Sequence, residues 1–167
     1  MKSLTTEELG RLVAVARQMS ERDAQLILTT YYHGLRASEA VNLGPDNLVA
    51  GKLYVERLKG SNDTTQSLGA SERSFLNLNL PTGQPFKMHR TTFWRKMKRY
   101  CTLAGIDPKK AHPHALKHTC GRLAYEAGVG IPEIQKRLGH VSGSNTLKYM
   151  EPTEEQADAA FAARVGQ

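Results

Sequence analysis

Apolar residues near the start of the chain fall at Leu9, Leu12, Val13 and Ala16, the spacing of one helix face. Thr5, three residues ahead of Glu8, supplies a capping box, so a helix is predicted to begin there. A second helix is predicted over about 23–32, where Leu26, Ile27 and Leu28 are contiguous and therefore buried all round, with His33 and Gly34 closing it. A short helical segment over 35–43 stops at Gly44 and Pro45. The period then changes. Leu48 and Val49, a turn at Ala50 and Gly51, and then Leu53, Val55 and Leu58 read as a hairpin of short strands. A third strand is predicted over 73–80, where Leu76, Leu78 and Leu80 alternate with Asn77 and Asn79. The polar stretch 60–71 between them reads as a mobile loop.

Beyond Pro85 the helical period returns. Thr91 or Thr92 is the predicted cap of a helix whose stripe is Phe93, Met97, Tyr100 or Cys101, and Ala104, with Gly105 at its end; Phe93 and Trp94 are both read as packing. Another helix follows Pro113, with Leu116, Cys120, Leu123, Ala124 and Ala127 inside and Gly128 at its end. Pro132 starts a short one that Gly139 stops, and a last helix carries Ala157, Ala160 and Phe161. The fold class expected is mainly α with a small antiparallel β-sheet (α+β).

The chain has 167 residues, 40% apolar and 23% charged, which suits one domain. No run approaches the eighteen or so apolar residues of a membrane helix, and the first residues lack the apolar stretch of a secretory signal. A cytoplasmic protein with no membrane partner is expected. Cys101 and Cys120 form no C-x-x-C, so neither a disulfide framework nor a zinc knuckle is indicated. The net charge of +7 is unevenly spread: residues 87–148 hold thirteen Lys and Arg against Asp107, Glu126 and Glu133, while the remainder is acidic on balance. Such localised positive charge suits a phosphate backbone, with Arg90, Arg95, Lys96 and Arg99 on the basic helix as the candidate DNA contacts.

Three segments carry candidate chemistry. His114, Lys117 and His118 share one helix face, so imidazole and ammonium point into one space able to hold an anion. His140 follows the helix end at Leu138 and Gly139, and Tyr149 comes nine residues later. Upstream, Arg36 has Glu39 at i+3, a carboxylate able to orient its guanidinium while the rest of the fork stays open to an oxyanion.

The ordered set Gly34-Leu35-Arg36-Ala37-Ser38-Glu39, Lys59-Gly60, His112-Pro113-His114-Ala115-Leu116-Lys117-His118-Thr119, Leu138-Gly139-His140 and Tyr149 resembles the catalytic domain of the tyrosine recombinases, the phage integrase family. The resemblance implies that Tyr149 attacks a scissile phosphate in double-stranded DNA, giving a 3′-phosphotyrosyl link and a free 5′-hydroxyl, without ATP or any other cofactor, and with no small-molecule substrate. In that scheme Arg36, Lys117 and His140 donate to the phosphate oxygens, Lys59 protonates the leaving oxygen, and His114 assists proton transfer at the tyrosyl oxygen. Glu39 holds Arg36. Arg57 and Lys52 are other basic residues of the hairpin able to occupy the place given to Lys59.

Two departures follow from the comparison with the family pattern. Lys117 stands where a second arginine is usual and lacks its planar fork, a loss worth about 3 to 4 kcal/mol for a donor of this kind. Too few residues precede Gly34 for the family's N-terminal core-binding domain, so one catalytic domain over 1–167 is expected, assembling on DNA as a dimer to tetramer. Residues 153–167 are the expected tail that protomers exchange, with Phe161 and its alanines as the docking face. Two rivals compete with the enzyme: an impaired DNA-binding module on the same fold, and a metal-dependent nuclease built on His112, His114, His118, His140 and Cys120.

Overall fold

The computed structural model describes residues 2–58, 60–148, 152 and 154–165. Helix α1 (Thr6–Met19) starts at the predicted capping box: Glu8 N–H donates to the Thr5 hydroxyl at 3.1 Å and Thr5 N–H to the Glu8 carboxylate at 2.8 Å. Helix α2 (Glu21–His33) packs beside it, buried along nearly its whole length, and ends at Gly34 with φ +58°. A Cβ on Gly34 would collide with Leu138 Cδ2, so both the left-handed backbone and the close approach require glycine. The short α3 (Ala37–Val41) follows directly.

Strands β1 (Leu48–Val49), β2 (Lys52–Val55) and β3 (Thr64–Ser67) form an antiparallel sheet in the order β1-β2-β3, with Leu53 opposite Gln66 and Val55 opposite Thr64. Leu53 and Val55 face the core. The third strand therefore lies within the stretch expected to be a mobile loop. It escapes an apolar pattern because its inward residues, Thr64 and Gln66, meet a polar layer: Gln66 Nε2 donates to the Arg137 carbonyl at 2.9 Å and its oxygen lies 2.8 Å from His33 Nδ1. His33 Nε2 lies 2.8 Å from Glu72 on the other side.

The strand expected over 73–80 is instead helix α4 (Ala70–Asn79). Leu76 and Leu80 are fully buried, one helical turn apart, whereas Leu78 is 73% exposed; a strand would have put all three on one face. Glu72 fixes the start by accepting from Gly69 N–H at 2.8 Å. In α5 (Arg90–Leu103) the buried stripe is Phe93, Met97, Tyr100 and Cys101, and the cap is His89 rather than either threonine. Trp94, expected to pack with Phe93, is 44% exposed and stacks on His112 under the Lys98 ammonium. Lys96 and the Tyr100 hydroxyl both bond Asp23, a buried carboxylate on α2.

Helix α6 (Pro113–Glu126) buries Leu116 and Cys120, leaving Leu123 and Ala124 half-buried and Ala127 exposed. Helix α7 (Ile131–Leu138) docks Ile134 and Leu138 beside Cys120 as a small second cluster. Then come α8 (Gly143–Leu147) and α9 (Glu154–Val165), the latter with no buried residue. The main core joins α1, α2, α5 and the inner face of the sheet. Among the described residues no helix is long and apolar enough to cross a membrane.

Gly34→Ala should destabilise the fold by about 2 to 4 kcal/mol, combining the left-handed penalty with displacement of Leu138. Chemical denaturation checks this; a loss below about 1 kcal/mol would mean that α7 does not press on this turn.

Candidate active site

Arg36 is the N-cap residue of α3, and this places its guanidinium. Its N–H donates to Glu39 Oε2 at 2.7 Å and its Nη1 to Glu39 Oε1 at 3.1 Å, so one carboxylate fixes backbone and side chain together. Nη2 donates to Ser61 Oγ at 2.9 Å, and the side chain remains 31% exposed. Glu39 is buried to 1% and also accepts from Arg57 Nη1 at 2.9 Å and Leu58 N–H at 3.2 Å. Burial would raise its pKa, but the Arg36 N–H, the Arg57 charge and the Leu58 N–H outweigh that and hold it below the usual carboxylate value.

Lys117 lies on the buried side of α6 at 2% exposure, with its ammonium donating to the Leu138 carbonyl at 3.0 Å. Desolvation first, then the Arg57 charge, pull its pKa down to about 8. His140 stands just beyond the left-handed Gly139 that ends α7, its Nδ1 2.9 Å from Thr146 Oγ1. Desolvation, with Lys117, Arg36 and Arg57 adding like charge, lowers its pKa to about 4, so its ring is neutral at physiological pH. His114 shows an exposed ring edge and contacts His118 edge-to-face at 4.4 Å between centroids. Its pKa is lowered by desolvation and then by Lys117 and its neighbours, Arg36 among them.

The structure thus brings Arg36, Glu39, His114, Lys117 and His140 within electrostatic reach of one another. The segment carrying Ser61 is tied into this group, for Ser61 forms a bridge with His140 and Asn62 N–H donates to the Gly139 carbonyl at 2.8 Å. Lys59 and Tyr149, the expected general acid and nucleophile, lie outside the described residues. Of the alternatives for Lys59, Arg57 is fully buried and bonded inward, and Lys52 is exposed at the far end of β2.

On the basic helix Arg90, Arg95 and Arg99 are exposed, whereas Lys96 is engaged at 2.6 Å by Asp23 and is partly withdrawn from the surface. Among the described residues no three His, Cys, Asp or Glu side chains are grouped as metal ligands.

The phage integrase family model matches residues 2–156. Tyrosine recombinase XerA of Pyrococcus furiosus is 34% identical over 169 residues, covering 91% of this chain and 58% of its own length. The chain therefore spans somewhat over half the length of that curated relative. Among solved structures, the XerH site-specific recombinase bound to a palindromic difH substrate superposes with a TM-score of 0.78 at 21% identity, over 97% of this chain and 52% of that one. The catalytic domain of bacteriophage HP1 integrase gives 0.74 at 21% identity, over 99% and 98% of the two chains.

Lys117→Met should stabilise the protein at pH 7 by about 1 to 3 kcal/mol, since a lysine whose pKa falls from 10.5 to about 8 on folding is a burden while charged. The sign follows from linkage: between about pH 8 and 10.5 the unfolded chain binds the proton that the folded one releases, so this residue makes stability rise with pH there. Urea titrations at pH 7, 8 and 10 should show that rise flattened in the variant; an unchanged slope would contradict the burial argument.

Proposed function

Because the chain belongs to the phage integrase family, we propose that it is the DNA-cleaving and DNA-rejoining domain of a tyrosine-type site-specific recombinase. What supports this most is the convergence of Arg36, Lys117 and His140, drawn from three separate segments, on one pocket backed by the buried Glu39. Fixed positive donors aimed at one space are what a pentavalent phosphorus requires, because its charge grows on the non-bridging oxygens as the nucleophile enters. Arg36 offers the Nη2 edge now held by Ser61, and Lys117 offers a charge without a fork. A neutral His140 whose Nδ1 accepts from Thr146 would carry its proton on Nε2 and donate it to the same phosphate.

In the proposed reaction the Tyr149 oxygen forms a bond to phosphorus while the bond to the 5′-oxygen breaks. Lys59 gives that oxygen its proton and His114 assists removal of the phenolic one. The phosphodiester bond energy stays in the phosphotyrosyl link, so the 5′-hydroxyl of a partner strand reverses the step and no cofactor is called for. The substrate is double-stranded DNA handled in the cytoplasm, with Arg90, Arg95 and Arg99 on the exposed face of α5 as backbone contacts, and Lys96 reaching phosphate only by leaving Asp23.

The test is a nicked duplex incubated with the protein in EDTA and resolved on a denaturing gel. A chelator-resistant covalent adduct is expected, absent in Tyr149→Phe. Retarded DNA with no adduct would favour the impaired binding module, and cleavage abolished by EDTA the nuclease. Duplex affinity should fall by about tenfold or more between 50 and 200 mM salt, as several phosphate contacts dictate.

The proposal extends to assembly. Helix α9 buries nothing and leaves Phe161 and Val165 over 60% exposed, at 67% and 61%. Between α2, α6 and α7 runs an apolar groove of about 430 Å³ lined by Tyr31, Cys120, Leu123, Ile134 and Leu138. A second copy's α9 is the proposed occupant, giving a dimer to tetramer on DNA. Phe161→Glu should leave one-site binding intact while reducing multimer on a two-site duplex at least fivefold in a native gel; unaltered assembly would remove α9 from the interface.

A further inference from the structure

Arg57 lies just past β2, and its side chain is wholly buried. Nη1 donates to the Gly34 carbonyl and to Glu39 Oε2, each at 2.9 Å. Nη2 donates to the His33 carbonyl at 2.8 Å and the Arg137 carbonyl at 3.0 Å. One planar fork therefore grips the end of α2, the carboxylate of α3 and the last turn of α7. Gly139 packs on it closely enough that a Cβ there would come within 3.1 Å of Arg57 Cγ.

Packing alone does not account for this residue. A fully buried guanidinium carries a desolvation penalty that an apolar side chain of the same volume avoids, and burial lowers its pKa in spite of Glu39. What an apolar residue cannot supply is the set of four donated hydrogen bonds and, with it, a charge beside Glu39. Glu39 is shared by two guanidiniums, one buried and one reaching solvent. If Arg36 and Glu39 stood alone they would form a neutral pair, and an incoming phosphate would meet a cation already cancelled by the carboxylate behind it. With Arg57 in place, the three groups together hold one net positive charge, and Arg36 is the member that faces outward.

We propose that Arg57 is a positioning residue that neutralises Glu39 from behind, so that Arg36 is held in place by the carboxylate yet meets the phosphate with its charge uncancelled. This rests on the reading that Arg36 binds the scissile phosphate. Arg57 touches no substrate and acts through Glu39.

Single-turnover adduct formation on the nicked duplex, His140 titration by NMR and thermal unfolding together test the idea. Arg57→Gln should slow adduct formation about a hundredfold and raise the His140 titration, because one of the cations depressing it is gone. Adding Glu39→Gln to Arg57→Gln removes the carboxylate that cancels Arg36 and should recover at least tenfold in rate with no recovery of Tm, a pattern that a purely structural clamp would not produce. Arg57→Lys keeps the charge and loses the fork, and should stay within about tenfold of the parent. The proposal is overturned if Arg57→Gln reacts within threefold of the parent, or if the double variant is no faster than Arg57→Gln. Should Arg57→Gln fail to fold, Arg57→Lys decides alone, and a hundredfold loss there overturns it. An unaltered protein that forms no adduct counts against the recombinase reading; a reactive parent with indifferent Arg57 variants counts against this inference only.

Discussion

A single buried carboxylate organises this structure. Glu39 accepts from Arg36 N–H and Nη1, Arg57 Nη1 and Leu58 N–H, and so joins the start of α3 to the segment leaving β2. Each of these donors comes from a different direction, and only an ionised carboxylate with two oxygens can satisfy all four. The arrangement is self-consistent: the charge is tolerable at 1% exposure because cations and N–H groups surround it, and the cations hold their geometry because the carboxylate is rigidly placed.

The charges around Glu39 do not balance. Arg36, Arg57 and Lys117 bring three cations around one anion, and the depressed pKa values of Lys117 and His140 are the mark of that imbalance, with desolvation the larger contributor to both. A core of this size has ample apolar area elsewhere, along α1, α2 and α5, to carry the burden. Excess positive charge among partly buried groups is what a bound anion would relieve. That argument is independent of sequence resemblance and points to the same ligand class.

Much of this was legible in the sequence. The helices α1, α2, α5, α6 and α7 follow apolar spacing with glycine or capping residues at their ends, and Arg36, Glu39, Lys117 and His140 stand out because short-range spacing places each on a definable face or turn. The errors share one cause. Residues 73–80 alternate like a strand, and nothing local reveals that Leu78 is the exposed one; the sign that was available is Glu72, placed to close a helix start at Gly69. Strand β3 is polar on its inward side because it lies on His33 and the Arg137 carbonyl, a partnership made across more than thirty residues. Arg57 was weighed only as a stand-in for Lys59. A lysine or arginine on a hairpin reads as solvated, and only the tertiary approach of Gly34, Glu39 and Arg137 turns it inward.

The same tertiary approach governs how the pocket takes a ligand. Arg36 Nη2 donates to Ser61 Oγ, and the Ser61 backbone is bridged to His140, so the loop after β2 is tied both to Arg36 and to the turn after α7. Nη2 carries two N–H groups and one of them donates to Ser61 Oγ, so an outside acceptor either shares that nitrogen with Ser61 or displaces it. An anion that displaced Ser61 Oγ would loosen the tie between that loop and Arg36 and leave its backbone bridge to His140 in place. Arg57 is held by the Gly34 and His33 carbonyls and Glu39 by the Leu58 N–H, contacts that do not pass through Ser61, so the inner half of the site is fixed independently of that loop.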